Sequence, residues 1–509
     1  MKTNLPALLR MPRRASIARI TLITVSAVLS GCAAVDPAHQ APTAPMPPTW
    51  SAWHGGDASL QLAATDGAAL ATQERWATLG DATLRELLTL AARDNQDLAA
   101  ASLRVLQARA LEATASAQRG PQVNARAAVS RQRLSDSGSS TRLVDAIAPT
   151  GATRDQLLSF LSSPYTVYQA GFDASWEFDL WGRVRRSVEA AAAQSEESMA
   201  TLQQVQLTLA ADVVRAYHQL RGIQAQQALL ARERRAAEEA EELLTAQYRG
   251  GLSTEQPVLA RRQRLRDLQA RDQALTLDAA AATNRLTVLC GQHPGALNAA
   301  LAAGQDAVDA PPPVIALGVP ADLVRQRPDV GVAEARLAAA TASVGVAVAD
   351  LYPRLTIGAT FGIETLREQQ LGQWGARQWS IGPSLSVPIF DQGRRRATIT
   401  LRELQQQEAA VAFQQTVLRA WHEVDDAMSA YAGELRQRQT LEAKVALSDE
   451  TLALAQAQYD KGMTDYVPVL DALQASAVAH QAQADSGTRL RVRLVAIYKA
   501  LGNDGTLRL

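Results

Sequence analysis

Tyr168-Gln169-Ala170-Gly171-Phe172-Asp173-Ala174-Ser175-Trp176-Glu177-Phe178-Asp179-Leu180 sets apolar and polar side chains strictly in alternation. A period of two puts every second side chain on the same side, so this stretch is a strand with one apolar and one polar face. Val123, Ala125, Ala127 and Val129 alternate in the same way with Asn124, Arg126, Ala128 and Ser130. Further on, Leu355, Ile357, Ala359, Phe361 and Ile363 form a third such run, and Trp379, Ile381, Leu385, Val387 and Ile389 a fourth. The pattern predicts strands at about 121–133, 165–180, 354–366 and 377–390. Their lengths approach the roughly 9 to 11 residues of a membrane-barrel crossing, and aromatic residues mark several ends.

The third and fourth strands repeat the first two. Gly171, Ser175, Gly182, Arg183 and Arg185 recur as Gly382, Ser386, Gly393, Arg394 and Arg396, all 211 positions later. Gln247, Tyr248, Gly251, Pro257, Val258 and Leu259 recur as Gln458, Tyr459, Gly462, Pro468, Val469 and Leu470 at the same offset of 211. Upstream, Asp97, Ala101, Arg104 and Pro121 match Asp329, Ala333, Arg336 and Pro353 at an offset of 232. The first half therefore carries 21 extra residues between Pro121 and Gly171. They fall in or beside a Ser- and Gly-rich segment, 135–163, which reads as a loop. A repeat spans 76–295, a linker 296–319 and a second repeat 320–503.

Between the strands the period changes to 3.6. Leu202, Val205, Leu209, Val213, Ala216, Leu220 and Ile223 step by threes and fours through a proline-free stretch from 183 to 247. At ~1.5 Å per residue such a stretch makes a helix on the order of 100 Å long. Helices are predicted at about 81–118 and 183–290, the latter turning before a return helix from about 257 to 289, and at 321–350 and 393–502. Their seams pack as coiled coils do.

Arg10, Arg13, Arg14 and Arg19 precede an apolar run of about ten residues and then Leu29-Ser30-Gly31-Cys32. This is a secretory signal, residues 1–31, too short to remain as a membrane span. Leu-Ser-Gly-Cys resembles a bacterial lipobox, which implies S-diacylglycerol and an N-acyl chain on Cys32. Ala33 in place of an aspartate favours the outer membrane by the same resemblance. Residues 32–75, with Pro37, Pro42, Pro45, Pro47 and Pro48, form a tether. With Cys32 acylated, Cys290 has no intrachain disulfide partner and reads as a small buried hydrophobe.

Lys+Arg and Asp+Glu balance at 51 each, which removes the basic footprint of a nucleic-acid binder. The six histidines are scattered and no phosphate loop, metalloprotease helix or nucleophile elbow occurs, so the chain reads as no enzyme, with no metal site and no cofactor beyond the lipid. His218 and His422 lie 204 apart, off the repeat offset, and read as surface or packing residues.

Four strands cannot close a barrel, since single-chain barrels need at least ~8 and lipid tolerates no open sheet edge. The strands must be shared between copies, with polar faces lining a wet lumen. The sequence at this point describes an oligomeric conduit.

Arg327-Pro328-Asp329-Val330, Ala333-Glu334, Leu337, Val344-Gly345 and Tyr352-Pro353 resemble the signature of the outer-membrane factors of tripartite efflux systems, and of their NodT-type lipoproteins in particular. Trp176-Glu177-Phe178-Asp179-Leu180-Trp181-Gly182, Pro388-Ile389-Phe390-Asp391 with Gly393, and Tyr498-Lys499-Ala500-Leu501-Gly502 carry the same resemblance, which covers nearly all the mature chain. It implies the outer-membrane-factor fold, mainly α with membrane β: a homotrimer with a 12-stranded barrel and a periplasmic α-barrel. It also implies a periplasmic adaptor (membrane fusion) protein and an inner-membrane pump of the resistance-nodulation-division class as partners, with outer-membrane lipid around the barrel. Export of small molecules such as drugs is the function implied. Type I protein secretion is the runner-up, and a non-transporting envelope lipoprotein comes third.

By the same resemblance, the turns bearing Tyr248, Gly251 and Ser253 and Tyr459, Gly462 and Thr464 sit at periplasmic tips where an adaptor docks. Asp471 matches an aspartate that rings the aperture in relatives, where converging carboxylates attract cations. Pro468 and Thr464 depart from the residues that lock other members, and Val467 could supply an apolar ring instead. Arg327-Pro328-Asp329 is otherwise a helix start, with Pro at the first position and an acid in the first turn.

Overall fold

The computed structural model describes residues 76, 79–138, 144, 147, 151–302 and 326–502. In chain order the elements are α1 (Ala82–Asp94), α2 (Gln96–Ala117), β1 (Gln122–Gln132), α3 (Ala152–Leu161), β2 (Tyr165–Phe178), α4 (Arg183–Arg249), α5 (Glu255–Leu289), α6 (Asn298–Ala302), α7 (Pro328–Ala349), β3 (Arg354–Thr365), β4 (Arg377–Ser386), α8 (Arg394–Asp460) and α9 (Val467–Leu501). The chain divides into two compact units that cut across the sequence repeats. One contains 109–193 and 338–407, and the other takes its described residues from 76, 79–108, 194–337 and 408–502.

The first unit holds the sheet. Its strands run antiparallel in the order β1-β2-β3-β4, leaving β1 and β4 as edges. The register sorts side chains as the alternation requires. Ala125, Phe172, Phe361 and Trp379 form one cross-strand row, while Asn124, Asp173, Thr360 and Ser380 form a row on the opposite face. Polar neighbours bond along that face, Asn124 Nδ2 donating to Asp173 at 3.1 Å. The apolar face is bare, with Phe172, Phe361 and Trp379 all more than half exposed. Gly171 and Gly362 oppose each other, and a Cβ on Gly171 would lie 2.6 Å from the Phe361 carbonyl oxygen, so the strands approach there as only glycine permits.

Two predicted strands end early. β4 stops at Ser386 and not at 390, because its partner β3 begins opposite it at Arg354 and offers nothing further to pair with. β2 stops at Phe178 because Asp179 turns to cap α4, accepting from the Val184 and Arg185 amides at 3.0 and 2.8 Å. The segment read as a loop, 135–163, contains α3. Ser and Gly cluster around it, but Ala152–Leu161 itself holds neither Gly nor Pro, and its end is tied to the end of β1 by Arg133 Nε donating to Ser162 O at 3.1 Å.

The second unit is helical. Leu84, Leu87, Leu88 and Leu98 from α1 and α2 pack with Val213, Tyr217 and Leu220 of α4, Leu286 of α5 and Leu490, Leu494 and Ile497 of α9. The three-and-four spacing of α4 thus marks its buried side. The single helix predicted at 81–118 is broken at Asn95, whose Oδ1 accepts from the Leu98 amide at 2.9 Å as an N-cap. The stretches 183–290 and 393–502 each divide at a turn, giving helix pairs of 67 and 35 residues in both repeats. The return helix α5 is unbroken from Glu255, two residues before its predicted start, and α7 begins at Pro328. Within the predicted linker the structure places the short α6.

Each repeat closes on itself by one device. Asn95 Nδ2 donates to Leu289 O at 2.9 Å at the end of α5. Arg327, at Asn95's position in the second repeat, donates to Ala500 O at 2.5 Å at the end of α9. Beside each lies a left-handed glycine, Gly291 with φ +64° and Gly502 with φ +66°. A Cβ on Gly291 would lie 2.7 Å from the Asp94 carbonyl carbon, and one on Gly502 would lie 2.9 Å from Arg327 Cα. Arg327 also pairs with Asp329 at 2.7 Å and Glu423 at 2.6 Å. Burial opposes its charge, but these carboxylates outweigh it and its pKa is raised.

Candidate functional site: the two helix-hairpin tips

The turns between α4 and α5 and between α8 and α9 are built alike. In the first, Gly251 N donates to Tyr248 O at 3.0 Å and Leu252 N to Gln247 O at 2.8 Å. In the second, Gly462 N donates to Tyr459 O at 2.8 Å and Met463 N to Gln458 O at 2.9 Å. Paired bonds of this kind around a left-handed glycine are a Schellman stop, and Gly251 and Gly462 have φ of +73° and +68°. The two glycines stop the helices for the same geometric reason.

Both tips rest on one apolar cluster, in which Ala240 and Leu244 of α4, Val258 of α5 and Leu470 of α9 pack with Tyr466. The Tyr459 and Tyr466 rings meet at 4.9 Å. Tyr248 is exposed, Ser253 half-buried with its hydroxyl 3.3 Å from Thr254 O, and Thr464 half-buried. Leu252 and Met463, 211 positions apart, project at the two turns with 83% and 73% of their surface exposed. An apolar residue in a turn carries no periodicity, so in the sequence only the repeat offset marks this pair.

Asp471 lies on α9 one turn beyond Val467, and both are exposed. Among the described residues Asp471 forms no ion pair within 4.0 Å, but it acts electrostatically on Arg261 of α5. Burial pushes the Arg261 guanidinium down from its ordinary pKa, Arg264 adds to this, and Tyr466, Asp471 and Glu233 oppose it. Arg261 was not singled out from the sequence, where one arginine among several on a charged helix carries no mark. His218 is buried, with its pKa pushed down to about 4 by burial and by Arg491, whereas His422 is exposed. Cys290 is fully buried with its thiol pushed up to about 12 by burial. Cys32 lies outside the described residues.

A four-stranded antiparallel sheet, each of whose two strand pairs is followed by a 67-residue helix, a glycine stop and a 35-residue return helix, defines a protein of one sheet and two long helical hairpins. The chain belongs to the family described as Outer membrane efflux protein, whose profile matches residues 87–292 and 319–503. It is 31% identical to Outer membrane protein OprJ of Pseudomonas aeruginosa over 486 residues, covering 95% of each chain. Solvent efflux pump outer membrane protein SrpC of Pseudomonas putida is 30% identical over 93% of this chain and 96% of its own. Among solved structures, the outer-membrane channel OprN superposes with a TM-score of 0.81 at 31% identity, covering 93% of this chain and 99% of its own. The Campylobacter jejuni CmeC outer membrane channel, at 22% identity, shares the fold with a TM-score of 0.80 over 92% of this chain and 94% of its own. The chain is thus a protein of the cell outer membrane with the outer-membrane-factor fold.

Proposed function

We propose that three copies of this chain close a 12-stranded barrel and form the outer-membrane duct of a tripartite efflux pump. The observation that carries this is the sheet with two unpaired antiparallel edges and a bare apolar face. In lipid neither edge can stay open, and β4 of one copy can pair antiparallel with β1 of the next. The polar face then lines a wet passage for small molecules. Its partners are a periplasmic adaptor and an inner-membrane pump of the resistance-nodulation-division class, which supplies the driving energy, and Cys32 carries the lipid anchor.

At the tips, three Asp471 carboxylates form a cation-attracting ring with Val467 as an apolar ring one turn away, and the adaptor opens it by docking on the two turns. The exposed pair Leu252 and Met463 supports an apolar contribution to that contact. The test is ethidium accumulation in cells lacking other outer-membrane channels. The wild-type gene lowers accumulation, and a Leu252→Ser, Met463→Ser double variant restores it while still reaching the outer membrane. Equal accumulation with and without the wild-type gene refutes the efflux assignment.

A further inference from the structure

The register brings four connections to one end of the sheet: the residues before β1 and β3 and those after β2 and β4. Aromatic groups collect there. Trp176 meets Phe178 edge-on at 5.6 Å, and Trp181 stacks on Tyr352 at 4.8 Å. Both indoles spend their N–H on backbone, on Arg119 O at 2.9 Å and Pro353 O at 2.8 Å. Such satisfied aromatic groups mark the level where hydrocarbon gives way to headgroups. Ile389 and Phe390 are 93% and 83% exposed, and the first arginine follows four residues later at Arg394.

Eight arginines lie at this end, and four are matched: Arg183 with Glu177, Arg186 with Glu189, Arg354 with Asp350 and Arg395 with Asp391. Arg119, Arg185, Arg394 and Arg396 are exposed and form none of the ion pairs found among the described residues. Asp179 is engaged by the Val184 and Arg185 amides. Ring closure sets the β1 edge of one copy beside the β4 edge of the next. It therefore places Arg119 at the same seam as Arg394 and Arg396, and like charges converge unless an anion sits between them.

We infer that each seam binds the phosphate of an anionic phospholipid of the inner leaflet, held by Arg394 and Arg396 of one copy and Arg119 of the next. Charge complementarity and continuity with the bilayer-facing apolar side of the sheet both select a lipid headgroup. The inference rests on the trimeric barrel proposed above.

Native mass spectrometry of the detergent-purified, delipidated trimer tests it, with phosphatidylglycerol as probe and zwitterionic phosphatidylcholine as comparison. The expected result is up to three phosphatidylglycerol adducts per trimer and preference over phosphatidylcholine. Each arginine contributes about fivefold to attraction by an anionic surface, so Arg394→Gln with Arg396→Gln weakens retention about 30-fold. Arg402→Gln, farther along the same helix, leaves retention unchanged. Equal retention of both lipids, or unchanged retention in the double variant, overturns the inference. A trimer that binds no phosphatidylglycerol sinks the lipid site alone, whereas absence of the trimer sinks the barrel.

Discussion

Replacing Gly291 by alanine tests the device that closes the first repeat. At φ +64° an L side chain costs about 1–2 kcal/mol. The new Cβ would also lie 2.7 Å from the Asp94 carbonyl carbon, in backbone that cannot swing aside as a flexible side chain can. Relieving an overlap of this kind costs a further ~1–3 kcal/mol. Gly251 separates the two contributions, since its φ is +73° but nothing lies within 4 Å of its would-be Cβ. Gly251→Ala should cost about 1–2 kcal/mol and Gly291→Ala about 2–5 kcal/mol. Urea unfolding in detergent micelles, followed by far-UV circular dichroism, measures both. If Gly291→Ala costs no more than Gly251→Ala, the tight seating of the closing turn against Asp94 is wrong.

His218 makes stability depend on pH. Its folded pKa of about 4 lies below the ordinary 6.5, so the unfolded chain takes up the proton first as pH falls. The helical unit should be fully stable above pH 6.5 and lose up to about 3 kcal/mol as pH falls toward 4, a slope that His218→Gln removes from the urea midpoint. Arg327→Met leaves Asp329 and Glu423 without their cation and should cost about 3 kcal/mol in the same unfolding assay. Asp471→Asn should leave folding unchanged and lower the preference for cations over anions in planar-bilayer conductance; an unaltered reversal potential under a salt gradient would remove Asp471 from the aperture. Cys32→Ser should abolish palmitate labelling, and persistent labelling would disprove the anchor.

The strands were legible because each carries its alternation in adjacent residues, and the single offset of 211 doubled the signal. The long helices were legible for the same local reason: the spacing from Leu209 to Leu220 marks the side that is buried. What the sequence hid is settled by distant partners. Nothing near Arg327 announces that it reaches Ala500 O, 173 positions away. Arg327-Pro328-Asp329 is legible locally as a helix start, which α7 bears out, whereas the clamp that Arg327 forms is not. Asn95 broke a predicted helix because its side chain has two partners, one local at Leu98 and one at Leu289. The extent of β4 was set by where β3 begins, which no property of residues 387–390 reveals. At the tips, the glycines and tyrosines stood out by repetition, whereas Arg261 acquires its meaning only when α5 is laid beside Asp471.

Closure of β1 against β4 of a neighbouring copy is the central claim, and interchain disulfide formation tests it directly. With Cys290 replaced by serine, one cysteine is placed in β1 at residues 124–130 and one in β4 at residues 378–384, scanning the pairs on a common face. The barrel requires that some pairs yield a ladder of covalent dimer and trimer that stops at three on denaturing electrophoresis. A set of pairs that never cross-links, or a ladder that runs beyond three, contradicts it.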